Sequence, residues 1–327
     1  MRRRHFSVRA FLTIWLLALG AARAALAQST TGEGAFELLF PTGARSSGMG
    51  LAAAASATGS EALWSNPALI ARGPREVALH ATKFLTIDTD ASGAMLIPVQ
   101  RVGTFGLGVR YLNEGVQPST DSTGQTTGTF TTTVTVVGAT FASPITSRLA
   151  LGLTYKLLRY AFNCTGTCLQ TGNIPQTIAL DLGAQYLVAK DSSLALGFAF
   201  TNAGPKLQVH DASQADALPV RADFGVSVAP RLDQLPKEAR VRAAADLVTR
   251  VAGGHAPGFR VGVELAWLER YQVRGGYVVN GPIGSGSGPT FGLGFSTGKL
   301  QIDLARALSN NLSASDSPTY LSLRYLF

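Results

Sequence analysis

Cysteine is nearly absent from these 327 residues, with two in all. A small fold stapled by disulfides is therefore excluded. Charge is scarce as well, at 15% Asp, Glu, Lys and Arg, against the ~25% of ordinary soluble domains. Intrinsic disorder needs a polar, charge-rich chain, so this composition excludes it. Beyond the N-terminal segment no apolar run approaches the ~18 residues of a membrane helix. No run of basic residues interleaved with aromatics follows residue 28, so a nucleic-acid partner is not expected.

The positive charge that is present is concentrated in one place. Arg2, Arg3, Arg4, Arg9 and Arg23 fall within the first 28 residues, which hold no acid. Setting these five aside leaves 23 basic residues against 20 acidic ones, so the net charge falls from +8 to +3. A basic start, an apolar run from Ala10 to Ala22 and then Ala25-Leu26-Ala27 form the three-part layout of a secretory signal peptide. The expected unit is residues 1–27, cut near Ala27. Gln28 rather than Cys follows, so no lipoprotein anchor is signalled. An uncleaved N-terminal anchor is the alternative.

What the rest of the chain has in quantity is alternation. In Val220-Arg221-Ala222-Asp223-Phe224-Gly225-Val226-Ser227-Val228 the even positions are apolar. Phe259-Arg260-Val261-Gly262-Val263-Glu264-Leu265-Ala266-Trp267 repeats the pattern with parity reversed. A period of two places alternate side chains on opposite faces of a strand. One face is apolar throughout. The other holds Arg110, Lys156, Asp181, Arg221, Asp223, Arg242, Asp246, Arg260, Glu264, Arg274, Asp303 and Arg324, diluted with Gly and Ala.

Fourteen strands are predicted, at 75–82, 92–99, 103–112, 129–142, 148–162, 176–189, 193–202, 218–229, 239–249, 257–268, 271–280, 289–297, 299–308 and 318–327. Short connections (100–102, 143–147, 190–192, 268–271 and 298) alternate with long ones (113–128, 163–175, 203–217, 281–288 and 309–317). Only 230–238 blurs the rule. A soluble sandwich gives the same alternation but has no reason to segregate loop length. Short turns at one end and long loops at the other are the pattern of a bacterial outer-membrane barrel. The expected fold is all-β, a 14-stranded antiparallel transmembrane β-barrel over residues 75–327, bathed in outer-membrane lipid. Tyr111, Tyr155, Trp267, Tyr271, Phe295, Tyr325 and Phe327 lie on the apolar parity, toward strand ends, as interfacial girdles require.

Residues 35–73, within an expected N-terminal hatch unit of residues 28–74, do not alternate. They contain Gly43-Ala44-Arg45, then Gly48-Met49-Gly50, then an Ala-rich run from Leu51 to Ala57 that reads as a short helix. Ala62-Leu63-Trp64-Ser65-Asn66-Pro67-Ala68-Leu69 follows, with Asn66-Pro67 a turn signal. A block of this size fits inside a fourteen-stranded barrel as a plug. The alternative is a periplasmic tail. Glycines on the lumen parity, among them Gly106, Gly152, Gly262 and Gly276, would let a plug approach the wall, or would only relieve crowding. Arg45 then has two candidate partners in the lumen, Glu264 and Asp223.

These N-terminal residues resemble the signature of the PorV/PorQ family, which belongs with the FadL-like outer-membrane proteins. Downstream, Asn202-Ala203-Gly204-Pro205-Lys206 resembles that family's Asn-x-Gly-Pro-Lys element, and Val273-Arg274-Gly275-Gly276-Tyr277 its late Arg-x-Gly-Tyr. Resemblance to outer-membrane barrels also makes the terminal Phe327 the signal read by the insertion machinery. The resemblance implies an N-terminal hatch in the lumen and one of two functions. PorV members hold secreted proteins by their C-terminal signal domains within a type IX secretion system, alongside its other components. FadL-like members carry small hydrophobic compounds. Few large apolar residues fall on the lumen parity, which leans toward protein binding.

Other constellations carry less. Cys164 and Cys168 fall in a predicted surface loop of an exported chain, which favours a disulfide over free thiols. The pair has no His or acid beside it and makes a poor metal site. His80 falls on the lumen parity, and His210 and His255 in long loops, with no nucleophile, base and orienting group in a recognisable pattern. The expectation is a non-enzyme without cofactor or metal.

Overall fold

The computed structural model describes residues 33–84, 89–167, 174–189, 193–208, 215–231, 234–251, 256–281, 286–308 and 317–327. The predicted signal peptide, Cys168, His210 and His255 lie outside these residues. Fourteen strands follow one another as β1 (Glu76–Lys83), β2 (Thr89–Val99), β3 (Gly103–Thr120), β4 (Thr126–Pro144), β5 (Leu149–Gly166), β6 (Gln176–Leu187) and β7 (Leu194–Ala203), then β8 (Arg221–Val228), β9 (Ala239–Arg250), β10 (Gly258–Trp267), β11 (Tyr271–Val279), β12 (Gly288–Ser296), β13 (Leu300–Ala307) and β14 (Thr319–Leu326). Each pairs antiparallel with its neighbours, and β14 closes on β1 from Glu76↔Leu326 to Lys83↔Thr319. The result is a closed transmembrane barrel.

Alternation sorts the wall. Leu79, Val261, Val263, Leu293 and Leu321 are exposed on the outside. Arg110, Lys156, Asp181, Asp223, Arg260, Arg274, Asp303 and Arg324 are buried on the inside. Closure leaves no unpaired edge, which lipid would penalise. Phe105 and Phe141 pack at 4.8 Å, and Tyr271 and Phe295 at 5.6 Å, on the outer face near the short-turn end. With Trp267, Tyr325 and Phe327 they form a girdle there.

Most of the expected loop 113–128 is instead strand, and β5 takes 163–166 from the expected loop 163–175. β3, β4 and β5 run for 18, 19 and 18 residues, well past the span of the shorter strands. They form a three-stranded ribbon projecting from the long-loop end. Thr-rich segments such as 126–133 have high β propensity and pair across the ribbon, which overrides the turn reading. Tyr111 and Tyr155 therefore sit within strands rather than near their ends. Cys164 lies in β5, not a loop, and is disulfide-bonded.

Residues 33–73 fill the lumen. Glu33 bridges to Ala217 in the β7–β8 link, at the long-loop end. Arg72 donates to the carbonyls of Thr146 and Ser147 in the β4–β5 turn, at the other end. The segment thus threads the barrel from end to end. Its pieces are short: a 3-10 turn Phe36–Leu39, a helix Ala44–Gly48, a 3-10 turn Gly59–Glu61, a helix Ala62–Ser65 and a 3-10 turn Pro67–Arg72. The helix expected over Leu51 to Ala57 is absent. Gly50 and Leu51 have positive φ, and the Ala53 and Ala54 amides donate to Asp246 at 2.7 and 2.8 Å. Positive φ at Gly50 and Leu51 departs from the right-handed helical path, and the chain that follows lies against the wall, where Asp246 accepts these two amides.

Candidate functional site

The hatch is held to the wall on two sides by different chemistry. Its first half, with Ala44, Arg45, Gly48, Met49 and Gly50, faces the β10–β14 wall. Arg45 makes a two-pronged pair with Glu264, with Nε–Oε2 and Nη2–Oε1 both at 3.0 Å. Of the two partners the sequence left open, the fold selects Glu264. Arg274 reaches the same carboxylate at 2.7 Å and Asp303 at 2.7 Å. The late Arg-x-Gly-Tyr element thus contributes an arm of this network. The Ala44 amide donates to Ser322 at 2.8 Å and the Gly50 amide to Thr290 at 2.9 Å.

Shape decides how close the two surfaces come. Gly43 has φ +98°, and a Cβ there would overlap Glu61, whose carboxylate accepts from the Arg45 and Ser46 amides. A Cβ on Gly276 would lie 2.2 Å from the Gly50 amide nitrogen. The wall must be glycine at such a point.

The second half faces β3–β6. Asn66 is extended, as its following proline requires, and its side chain accepts from the Ala68 amide at 3.1 Å. Its Nδ2 donates to the carbonyls of Ala54, at 2.6 Å, and Ala184, at 3.1 Å. Pro67 and Ala68 lie on Gly152 and Gly183, and Leu63 and Trp64 on Gly106 and Gly108. Between the halves, Ser60 donates to Glu76 at 2.9 Å and meets His80 Nε2 at 2.9 Å, and Arg324 closes on Glu76 at 2.7 Å. His80 is thus a buried anchor of the hatch.

Toward the long-loop end the lumen changes character. Leu112, Val134, Val136, Leu158 and Tyr160 from β3–β5, with Phe84, Leu207 and Leu218, form a buried apolar cluster. Leu38, Phe40 and Trp64 of the hatch pack against it. The expectation of a lumen with few large apolar residues is therefore corrected. Where Val136-Val137 and Leu157-Leu158 break the alternation, both faces turn apolar, and this was the signal available. The cluster has a polar margin. Arg110 pairs with Asp90 at 2.5 Å and donates to the Phe40 carbonyl at 2.9 Å. Tyr160 Oη donates to Glu37, a contact that sequence reasoning missed. Burial pushes the Glu37 carboxyl above the usual carboxylate range, against the lowering effect of that hydrogen bond.

The Asn202–Lys206 element borders this cluster, with Gly204 against Leu218, whereas Phe327 lies away from it. Asn202, at positive φ, accepts from Lys156 at 2.9 Å, and its amide donates to Asp181 at 2.8 Å. A Cβ on Gly204 would overlap the Ile178 carbonyl, while Pro205 and Lys206 are exposed. This element shapes a strand exit and is not part of the hatch. Phe327 is exposed, stacked edge-on to Tyr325 at 4.9 Å. At the short-turn end a recess of about 620 Å³ opens between β8, β9 and β10, lined by Lys237, Arg240, Arg242 and Glu264. It leads from that end toward the Arg45–Glu264 pair.

No family model and no curated protein matches the chain. Solved structures do. The Pseudomonas putida toluene transporter TodX aligns with a TM-score of 0.60 at 14% identity, over 88% of this chain and 99% of that one. The monoaromatic hydrocarbon channel CymD aligns at 0.59 and 12%, over 88% and 98%. A Pseudomonas aeruginosa FadL homologue aligns at 0.54 and 11%, over 88% and 99%. At these identities the likeness is one of fold.

Proposed function

We propose that this chain is a bacterial outer-membrane passage for small hydrophobic compounds, without enzymatic activity. The observation that carries the reading is the apolar cluster of β3–β5, set in an otherwise charged and glycine-rich lumen and capped by Leu38 and Phe40. The cluster is packed, and a chamber opened there by moving Leu38 and Phe40 aside would offer an apolar solute a step between water and lipid. The FadL-like fold and the solutes named for TodX and CymD support the same class of cargo. The recess at the short-turn end would then be the periplasmic exit, and the ribbon of β3–β5 would face outward from the cell.

Uptake of toluene by cells producing the protein tests this. Faster accumulation than in cells lacking it is expected, and Leu158→Glu should abolish the gain by placing a charge in the chamber. Equal accumulation in all three would reject the reading.

The motif set, together with the projecting ribbon, favours a second reading, a shuttle for secreted proteins in a type IX-like system. Affinity capture from solubilised outer membranes tests it. Captured chains sharing one C-terminal domain would support the shuttle, and copurified hydrophobic compounds alone would support passage.

A further inference from the structure

A cavity of about 40 Å³ lies beside the apolar cluster, between the hatch and the wall strands β8 and β10. Leu38, Phe40 and Trp64 line the cavity and pack against the cluster, so these side chains separate the two. Its polar lining is one-sided. Trp64 Nε1, Arg260 Nε and Thr42 Oγ1 are buried and have no hydrogen-bond partner among the described residues. The first two are obligate donors, and the hydroxyl can donate.

Glu61, the carboxylate that lines the cavity, is already occupied, while Asp223 Oδ1 and Asp246 Oδ1, which have no hydrogen-bond partner among the described residues, belong to side chains outside the lining. Glu61 accepts from two amides, at 3.0 and 2.9 Å, and from Ser46 Oγ at 2.5 Å. Asp223 lies 2.9 Å from Arg221 Nε and is 3.9 Å from Arg260. One Asp246 oxygen takes the Ala53 and Ala54 amides. Arg221 and Arg260 face these two aspartates and Glu61 adds a third carboxylate, so the cavity is rich in donors but has no excess positive charge to attract an anion.

We infer that this cavity receives the oxygen of an uncharged, oxygenated hydrophobic compound, such as an aryl ketone. The apolar body of the compound lies toward the chamber, in the space that Leu38 and Phe40 fill. The inference rests on the passage reading and sharpens its substrate class. Buried donors left unpaired penalise an isostere without the oxygen.

The test is calorimetric binding to the detergent-solubilised full chain with three probes: acetophenone, its isostere isopropylbenzene, and benzoate. Acetophenone should bind about tenfold tighter than isopropylbenzene, the worth of one buried hydrogen bond. Trp64→Phe and Thr42→Val, made separately, should each shrink that ratio. Equal binding of acetophenone and isopropylbenzene would overturn the inference and leave passage standing. A ratio unchanged in both variants would mean that the cavity holds water only, whose share of liquid volume is about 30 Å³. Tighter binding of benzoate would overturn the uncharged class. Binding of none of the three would remove the passage reading together with the inference.

Discussion

Arg45 and Glu264 meet as a two-pronged ion pair, both contacts at 3.0 Å, between residues 219 apart in sequence. One belongs to the hatch and the other to β10, and both are largely screened from water. Such a pair fixes position more than it adds net stability, but losing one partner leaves a buried charge.

Arg45→Met should therefore loosen the hatch while sparing the wall, whose ladder it does not touch. Arg274 still holds Glu264 at 2.7 Å in that variant, so the cost falls below the about 3–5 kcal/mol of a buried charge left wholly unpaired. The expected result is a folded, heat-modifiable barrel with higher conductance in planar bilayers. Deleting residues 35–73 should raise conductance further, and unchanged conductance after the deletion would remove the plug from the account.

Gly152→Val tests contact by shape. A Cβ there would come within 2.4 Å of the Pro67 carbonyl carbon and the Ala68 amide nitrogen. Proteolytic cleavage within residues 35–73 of the intact barrel should appear. Gly275→Val is the control, because a Cβ at that position meets nothing within 4 Å. Cleavage in neither variant would separate the hatch seat from the glycine wall.

Glu37 makes the upper hatch sensitive to pH. Burial raises its pKa when docked, so the docked state favours the protonated acid. Docking is then strongest below the ordinary carboxylate value and weakens as pH rises through the raised one. Conductance should increase with pH across that interval, and Glu37→Gln should flatten the dependence. An identical pH profile in the variant would assign it to another group.

Cys164 predicts a chemical result. Purified protein should take up alkylating reagent only after reduction, with Cys168 as the second site. Two free thiols in the unreduced protein would contradict the pairing expected of an exported chain.

Much of the fold was legible because lipid outside and a packed lumen inside impose opposite demands on alternate residues. The fourteen strands, the inward parity of Arg274 and Asp303, and the closing strand ending near Phe327 all follow from that period of two. The site was only half legible. Arg45, Asn66 and the glycines stand out by type and His80 by its lumen parity, yet Glu76, Asp90 and the partners of His80 do not, since a lone polar residue on a strand does not name its partner. The outer parts of the β3–β5 ribbon, 113–120, 126–128 and 163–166, read as loop from sequence because Thr and Gly mark solvated turns and strands alike.

The sequence by itself determined the barrel wall, since alternation is enough to specify it, and carries an N-terminal segment with the layout expected of an export signal. Only the tertiary structure decided which carboxylate holds Arg45, that the segment 51–57 lies flat on Asp246 instead of coiling, and that the long-loop half of the lumen is apolar. Each of these depends on strands far apart in sequence converging across a closed ring. No local pattern encodes that convergence, because it is fixed by strand register and by how closely glycine lets two backbones approach.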